Sequence, residues 1–441
     1  MNLNWIQAAS CHGRRLAWGA AGAILLSCPA AYAATDVQVW HFLNPHNRDV
    51  FEKLVKDFNK SQDGVKVKLK AFDNDADLET AMAGIKTADQ RPQLIQLDDE
   101  RVRTEADLPK YIQPMYVMLG KHPIKNVKWF LSDTNTFVRD SKGRLLAFPY
   151  MAEVPVMYYN IESFKKAGLN PTVPDRAWSG LQAQLVTLAN NGSRKCPLTS
   201  DQSVSVNLEN LAAVNNQLFA GNDNGLGAKG KPGFSFDVVY IRHLSLMISW
   251  VRSEIMVKPA HNAQATKRFA NNECAVLTSK SSNLGWFNDT RNLNFSVSGL
   301  PYYPEVTAKP GAPFVSGAGL WATAGQTKDS EAASARFLDY LAQADNATRW
   351  YQQTGFLPLT QQAFSDTGSG YYKNLGDWQN LVAVYSKPIS GNSRGFRIDN
   401  YPRIRAMFRD TLDDALAGNK PAVTALKTAA AEATKLMQAK K

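Results

Sequence analysis

Apolar and polar positions follow period two through Val37-Gln38-Val39-Trp40-His41-Phe42, and the β-branched and aromatic residues there predict a strand. Over residues 47–60 the period changes. Val50, Phe51, Leu54, Val55 and Phe58 recur on one helical face, with Lys53, Lys56 and Asp57 opposite. Val65-Lys66-Val67-Lys68-Leu69 returns to alternation, residues 77–87 read as a helix, and Leu94-Ile95-Gln96-Leu97 as a short buried strand. Strand, helix, strand, helix, strand is the pattern of an open α/β sheet.

The stretch 144–160 is extended, and Val156-Met157-Tyr158-Tyr159-Asn160 reads as a strand entering a new region. Helices are predicted over 161–167 and 178–190. Residues 193–233 are polar and Gly-rich, a mixture of helix and surface loop. A helix is expected over 238–251, and strands over 274–278 and 319–322. Residues 330–344 form an amphipathic helix with Ala333, Phe337, Leu338 and Leu341 on one side. Two more helices end the chain, 402–417, stopped at Gly418, and 423–438.

The first 33 residues change the picture. Arg14 and Arg15 precede an apolar run from Leu16 to Cys28, followed by Ala31-Tyr32-Ala33. These are the three parts of a secretory signal peptide, with cleavage expected after Ala33. The run is shorter than the roughly 18 residues a membrane span needs. A competing reading makes Leu25-Leu26-Ser27-Cys28 a lipoprotein box, which Leu26 and Pro29 fit poorly. The 408 residues that remain suggest two substantial domains. They carry 48 basic and 39 acidic side chains, spread without a basic arm. A solvated basic surface is therefore expected, and no nucleic-acid partner. Cys196 and Cys274 are the two cysteines left in an oxidising compartment, so one disulfide is expected.

Signatures of catalysis are missing. Gly225-Leu226-Gly227-Ala228-Lys229-Gly230 matches a dinucleotide string but lacks the strand before it and the helix after it. The histidines show no metal-ligand spacing apart from a loose His41/His46 pair. Asp98-Asp99-Glu100 follows a strand end, and with Glu153 it leaves open a hydrolase reading. Aromatic rings stand beside polar or small residues in several predicted loops: Trp40-His41, Tyr150 to Glu153, Thr278 to Ser282, Ser316 to Gly319, Gly355 to Pro358 and Gly395 to Asn400. Trp40, Tyr150, Trp178, Trp286 and Phe356 are possible stacking walls. Rings that stack on C–H surfaces, acids that accept hydroxyls and arginine forks suggest a carbohydrate-like ligand.

Four stretches are the most specific: Val154 to Asn160 with Phe164 to Leu169, Arg336 to Leu341, Trp350 to Thr360, and Asn400 to Arg405. Through them, and from Val37 onward, the chain resembles the periplasmic solute-binding proteins of carbohydrate ABC importers (extracellular solute-binding family 1), particularly its glycerol-3-phosphate binders. This resemblance implies a two-lobe α/β fold of the periplasmic-binding type (type II), with several hinge crossings and the ligand in the cleft between lobes. Lobe one is expected over 34–147 plus 316–362, and lobe two over 148–315 plus 363–441. The resemblance places the phosphate-contacting arginine at Arg397, a ligand-contacting glycine at Gly317, a serine at Ser281 and the hydroxyl-accepting acid at Asp99.

Three positions depart from the family pattern. A tyrosine falls in Asp73–Asp75, making Asp75 its candidate; Glu153 replaces a serine; and Phe356 replaces a tyrosine. A carboxylate beside a phosphate repels it. Glu153 therefore points away, or pairs with Arg397, or the ligand is not glycerol 3-phosphate. The implied function is periplasmic capture of a small carbohydrate-class solute, sn-glycerol 3-phosphate or a glycerophosphodiester, by hinge closure. The implied partners are an inner-membrane permease and its cytosolic ATPase. No cofactor is expected, and the protein is expected to be a monomer. The alternatives are a neutral polyol or sugar as ligand, or a secreted hydrolase using Asp99 and Glu153.

Overall fold

The structure is a computed structural model that describes residues 34–101, 108–172, 174–191, 195–260 and 263–438. The signal peptide, its cleavage site after Ala33 and the Cys28 lipoprotein box lie outside the described residues.

Among the described residues ten strands form two sheets. The first contains β1 (Thr35–His41), β2 (Val65–Ala71), β3 (Leu94–Asp98), β4 (Ile112–Gln113), β5 (Phe148–Glu153) and β10 (Ser316–Thr323). Its order is β2-β1-β3-β10-β4, with β5 also paired to β10. β1 runs parallel to β2 and β3, whereas β10 is antiparallel to β3 and β5. The second sheet is β7-β8-β6-β9, built from β6 (Pro155–Asn160), β7 (Cys196–Ser200), β8 (Cys274–Lys280) and β9 (Phe295–Ser298).

The helix Pro45–Ser61 turns the face predicted from spacing inward: Phe51, Leu54, Val55 and Phe58 are buried, and Asn44 caps its start by accepting from Asn47 N–H. With Phe337, Leu338 and Leu341 of the helix Lys328–Ala342 they belong to the core of the first sheet. A second core gathers Leu181, Leu185, Trp250, Ile404, Phe408 and Leu426 against β6 and β8. The α/β character and most predicted elements agree with these positions. β9 and the helix Ala344–Thr354 were not anticipated. The segment 205–214 is helical and buried, the helical part expected within the Gly-rich middle.

Cys196 and Cys274 face each other on neighbouring parallel strands and are disulfide-bonded. Thiol titration of the unfolded mature chain without reductant is expected to find none. Replacing both cysteines with serine should cost about 2–4 kcal/mol in urea unfolding; an unchanged midpoint would make the bond dispensable.

Candidate functional site

The chain passes from the first sheet to the second at Val154, between β5 and β6, and returns into β10 at Ser316. Consequently the carboxyl ends of β3, β5, β7 and β8 and the amino end of β10 converge on one cleft. In open α/β sheets, ligands bind at such strand ends. Two cavities of about 590 and 330 Å³ share Asp98, Glu153, Asp201, Gln202, Lys280 and Gly317 as lining. Their size suits a small molecule.

The floor is a charge cluster drawn from both sheets. Glu153 at the end of β5 is buried, pairs with Lys280 Nζ at 2.9 Å and accepts a hydrogen bond from Ser282 Oγ. Lys280 is held more firmly protonated than an ordinary lysine, chiefly by Glu153, with Asp98 and Asp201 adding to it. Burial pushes the Asp98 carboxyl up to about 8, against the pull of Lys280. Burial likewise raises Asp201 to about 6, although Ser279 Oγ donates to its Oδ2 at 2.9 Å. Among the described residues, the other oxygen, Asp201 Oδ1, is buried with no hydrogen-bond partner. Such an acceptor is costly unless something donates to it.

The raised Asp98 value has a consequence for stability. Unfolded aspartate titrates near 3.9, so the native state holds an extra proton between about pH 4 and 8, and stability falls as pH rises through that window. Asp98→Asn should therefore be more stable than wild type at pH 8.5, by on the order of 1–3 kcal/mol. The two should converge near pH 4. Thermal melts at both pH values check this, and a variant less stable at pH 8.5 contradicts it.

Gly317 sits opposite Ala152 in the β10–β5 ladder with φ +106°, a conformation suited to glycine. Above the floor, Asp75 and Glu79 both pair with Arg101. Arg405, on the helix Tyr401–Leu416, pairs with Glu100 and Glu209 at 3.0 Å each.

Of the residues expected from sequence, Asp75, Asp99, Glu153 and Gly317 line the larger cavity, and Phe356 lines the smaller. Phe356 ends a stack in which Trp350 lies between it and Tyr150. Two positions lie elsewhere. Ser281 is wholly buried: its N–H donates to the Val154 carbonyl and its Oγ accepts from the Val154 N–H; Ser282 is the serine facing the smaller cavity. Arg397 Nη2 donates to the carbonyls of Arg139 and Asp140, and the residue lines neither cavity. Glu153 pairs with Lys280 and not with Arg397. Tyr150 and Trp178 are core residues, Trp40 packs on Phe72, and Trp286 packs on Phe287, so Phe356 alone of the five proposed ring walls lines the cleft. Sequence reasoning passed over Asp201 and did not single out Lys280, although Lys280 lies inside the polar stretch Thr278 to Ser282.

Among the described residues no group of three His, Cys, Asp or Glu side chains is placed to hold a metal ion, and no helix is long and apolar enough to cross a membrane.

Residues 53–375 match the model of a bacterial extracellular solute-binding protein family. The sn-glycerol-3-phosphate-binding periplasmic protein UgpB of Rhizobium meliloti is 31% identical over 405 residues, covering 90% of this chain and 92% of the relative. The protein of that name from Escherichia coli K12 is 28% identical, over 92% of this chain and 94% of its own. Among solved structures, UgpB from Mycobacterium tuberculosis in complex with glycerophosphocholine superposes with a TM-score of 0.71 at 16% identity, over 92% of this chain and 99% of its own. Maltose-bound MalE3 of T. maritima gives 0.71 at 16%, over 91% and 100%. At these identities the solved structures establish the shared two-lobe fold.

Proposed function

The chain belongs to the bacterial extracellular solute-binding proteins, and from that premise we propose that it captures a glycerol-phosphate-class solute for an ABC importer. The ligand is sn-glycerol 3-phosphate, for which the relatives are named, or a glycerophosphodiester such as the glycerophosphocholine held by the M. tuberculosis protein. One observation carries this reading: the cleft draws its polar groups from both sheets, Asp98 and Glu153 from the first, Asp201 and Lys280 from the second. A solute bonded to both sides favours the closed arrangement, because it binds that state better than the open one. Asp98, while protonated, can both donate to and accept from a ligand hydroxyl, and Asp201 Oδ1 accepts. The Lys280 charge offsets Glu153, which leaves room in the cleft for an anionic ligand. Lobe one comprises 34–153 with 316–362, and lobe two 154–315 with 363–441; the boundary expected at 147 moves to Val154 because β5 is laddered to β10 of the first sheet. The mature protein starts after Ala33, works in the periplasm as a monomer, and passes its solute to the permease.

A thermal-shift screen of sn-glycerol 3-phosphate, glycerophosphodiesters, polyols and oligosaccharides tests this. A true ligand at a hundred times its Kd stabilises by about 2.7 kcal/mol. Stabilisation by phosphate esters is the expected result. Stabilisation by neutral sugars alone would transfer the reading to a sugar or polyol, and hydrolysis of a glycoside would replace it with an enzyme.

A further inference from the structure

The geometry points to an anion subsite on the helix Tyr401–Leu416, formed by Arg403 and Arg409 beside Arg405, as the place where the phosphate of the solute is held. This rests on the capture reading above and deepens it. At 3.6 residues per turn, Pro402, Arg405, Ala406 and Arg409 fall on one stripe, with Arg403 at its edge. All five line the 590 Å³ cavity.

The other cations of that cavity are already committed. Lys280 is paired with Glu153, Arg101 with Asp75 and Glu79, and Arg405 with Glu100 and Glu209. Arg403 is exposed and holds no salt bridge among the described residues. Among the described residues Arg409 pairs only with its sequence neighbour Asp410, at 3.3 Å and with both side chains exposed, a contact of little energy. These two guanidinium groups therefore remain to meet a ligand anion, and their planar forks match a phosphate bidentately. The polarity of the cleft agrees: carboxyls on the floor receive hydroxyls, and the arginine helix, packed through Ile404 and Phe408 into the second core, meets the phosphate. Arg397 does a different job. Its Nη2 binds the carbonyls of Arg139 and Asp140, while Arg394 O accepts from Thr136 N–H, so the segment is clamped to the 136–140 loop.

Calorimetric titration of wild type and the Arg403→Ala/Arg409→Ala double variant with sn-glycerol 3-phosphate, and with maltose as a neutral probe, tests the assignment. Both sites are solvent-facing, so the unliganded melting temperature should hardly move. The expected result is a loss of tenfold or more in affinity for sn-glycerol 3-phosphate in the double variant, with a weaker salt dependence. Equal affinity in the two proteins would overturn the subsite while leaving capture in place. Binding of maltose but not of the phosphate ester would overturn the subsite and the ligand class together. Failure to bind either probe would overturn both the subsite and the glycerol-phosphate reading.

Discussion

Replacing Lys280 with methionine is expected to lower stability by about 2–4 kcal/mol and to abolish solute binding. The side chain of Glu153 is 4% exposed, and without the lysine it keeps, among the described residues, a single hydroxyl partner, Ser282. Removing one member of a buried pair typically costs about 3–5 kcal/mol, because the remaining charge is stranded. The Lys280 side chain is itself 44% exposed, so the loss falls toward the lower end. Asp98 and Asp201 also lose the positive charge that favours their ionised forms. Urea unfolding of the single variant, and of Lys280→Met combined with Glu153→Gln, measures the coupling. The double variant should recover much of the lost stability. A single variant that unfolds at the wild-type midpoint would mean that the cluster contributes nothing.

The second large effect is expected at Gly317. A Cβ there would lie 2.3 Å from the Met151 carbonyl oxygen and 2.9 Å from Glu153 Cγ. The carbonyl belongs to β5, which is laddered to β10 at this point, so it cannot withdraw without loosening the pairing. An alanine would also have to hold φ near +106°, a strained conformation costing on the order of 1–3 kcal/mol by itself. With the overpacking added, Gly317→Ala should cost about 3 kcal/mol or more, and it should displace Glu153 enough to weaken binding. Gly120→Ala, on the helix Met115–Lys121 with nothing within 4 Å of the added Cβ, is the control and should behave like wild type. Thermal melts and ligand titrations of the two variants decide the matter. A Gly317→Ala protein as stable as wild type would contradict the close approach.

How much of this was legible in sequence depends on the range of the interactions involved. The first α/β unit is local: the Val50-Phe51-Leu54-Val55-Phe58 face is a property of fourteen consecutive residues, and apart from half-buried Val50 it is buried as its spacing demands. The disulfide followed from two cysteines and a compartment. β9 was missed although Phe295-Ser296-Val297-Ser298 alternates, because all four residues are buried and serine reads as solvent-facing. Tyr150 and Trp178 look like ligand-stacking rings in a linear text, but in space each packs in the core, Tyr150 on Trp350 and Trp178 near His243 and Trp250. The floor of the cleft was the hardest part to read. Asp98, Asp201 and Lys280 lie far apart in the chain and meet only because β3, β7 and β8 end on the same side. The serine assignment slipped by one residue for a related reason. At the short turn after β8, successive side chains point in opposite directions, Ser281 into the crossing at Val154 and Ser282 into the cavity. Family resemblance supplied Arg397, yet its guanidinium is engaged by backbone carbonyls that no pattern in the sequence announces.

A calorimetric titration of the mature protein with sn-glycerol 3-phosphate, followed by recovery of the solute, tests the central claim most directly. Saturable binding of one molecule per chain, with the ester recovered intact, is the predicted result. Absence of binding, or release of a cleaved product, would contradict it.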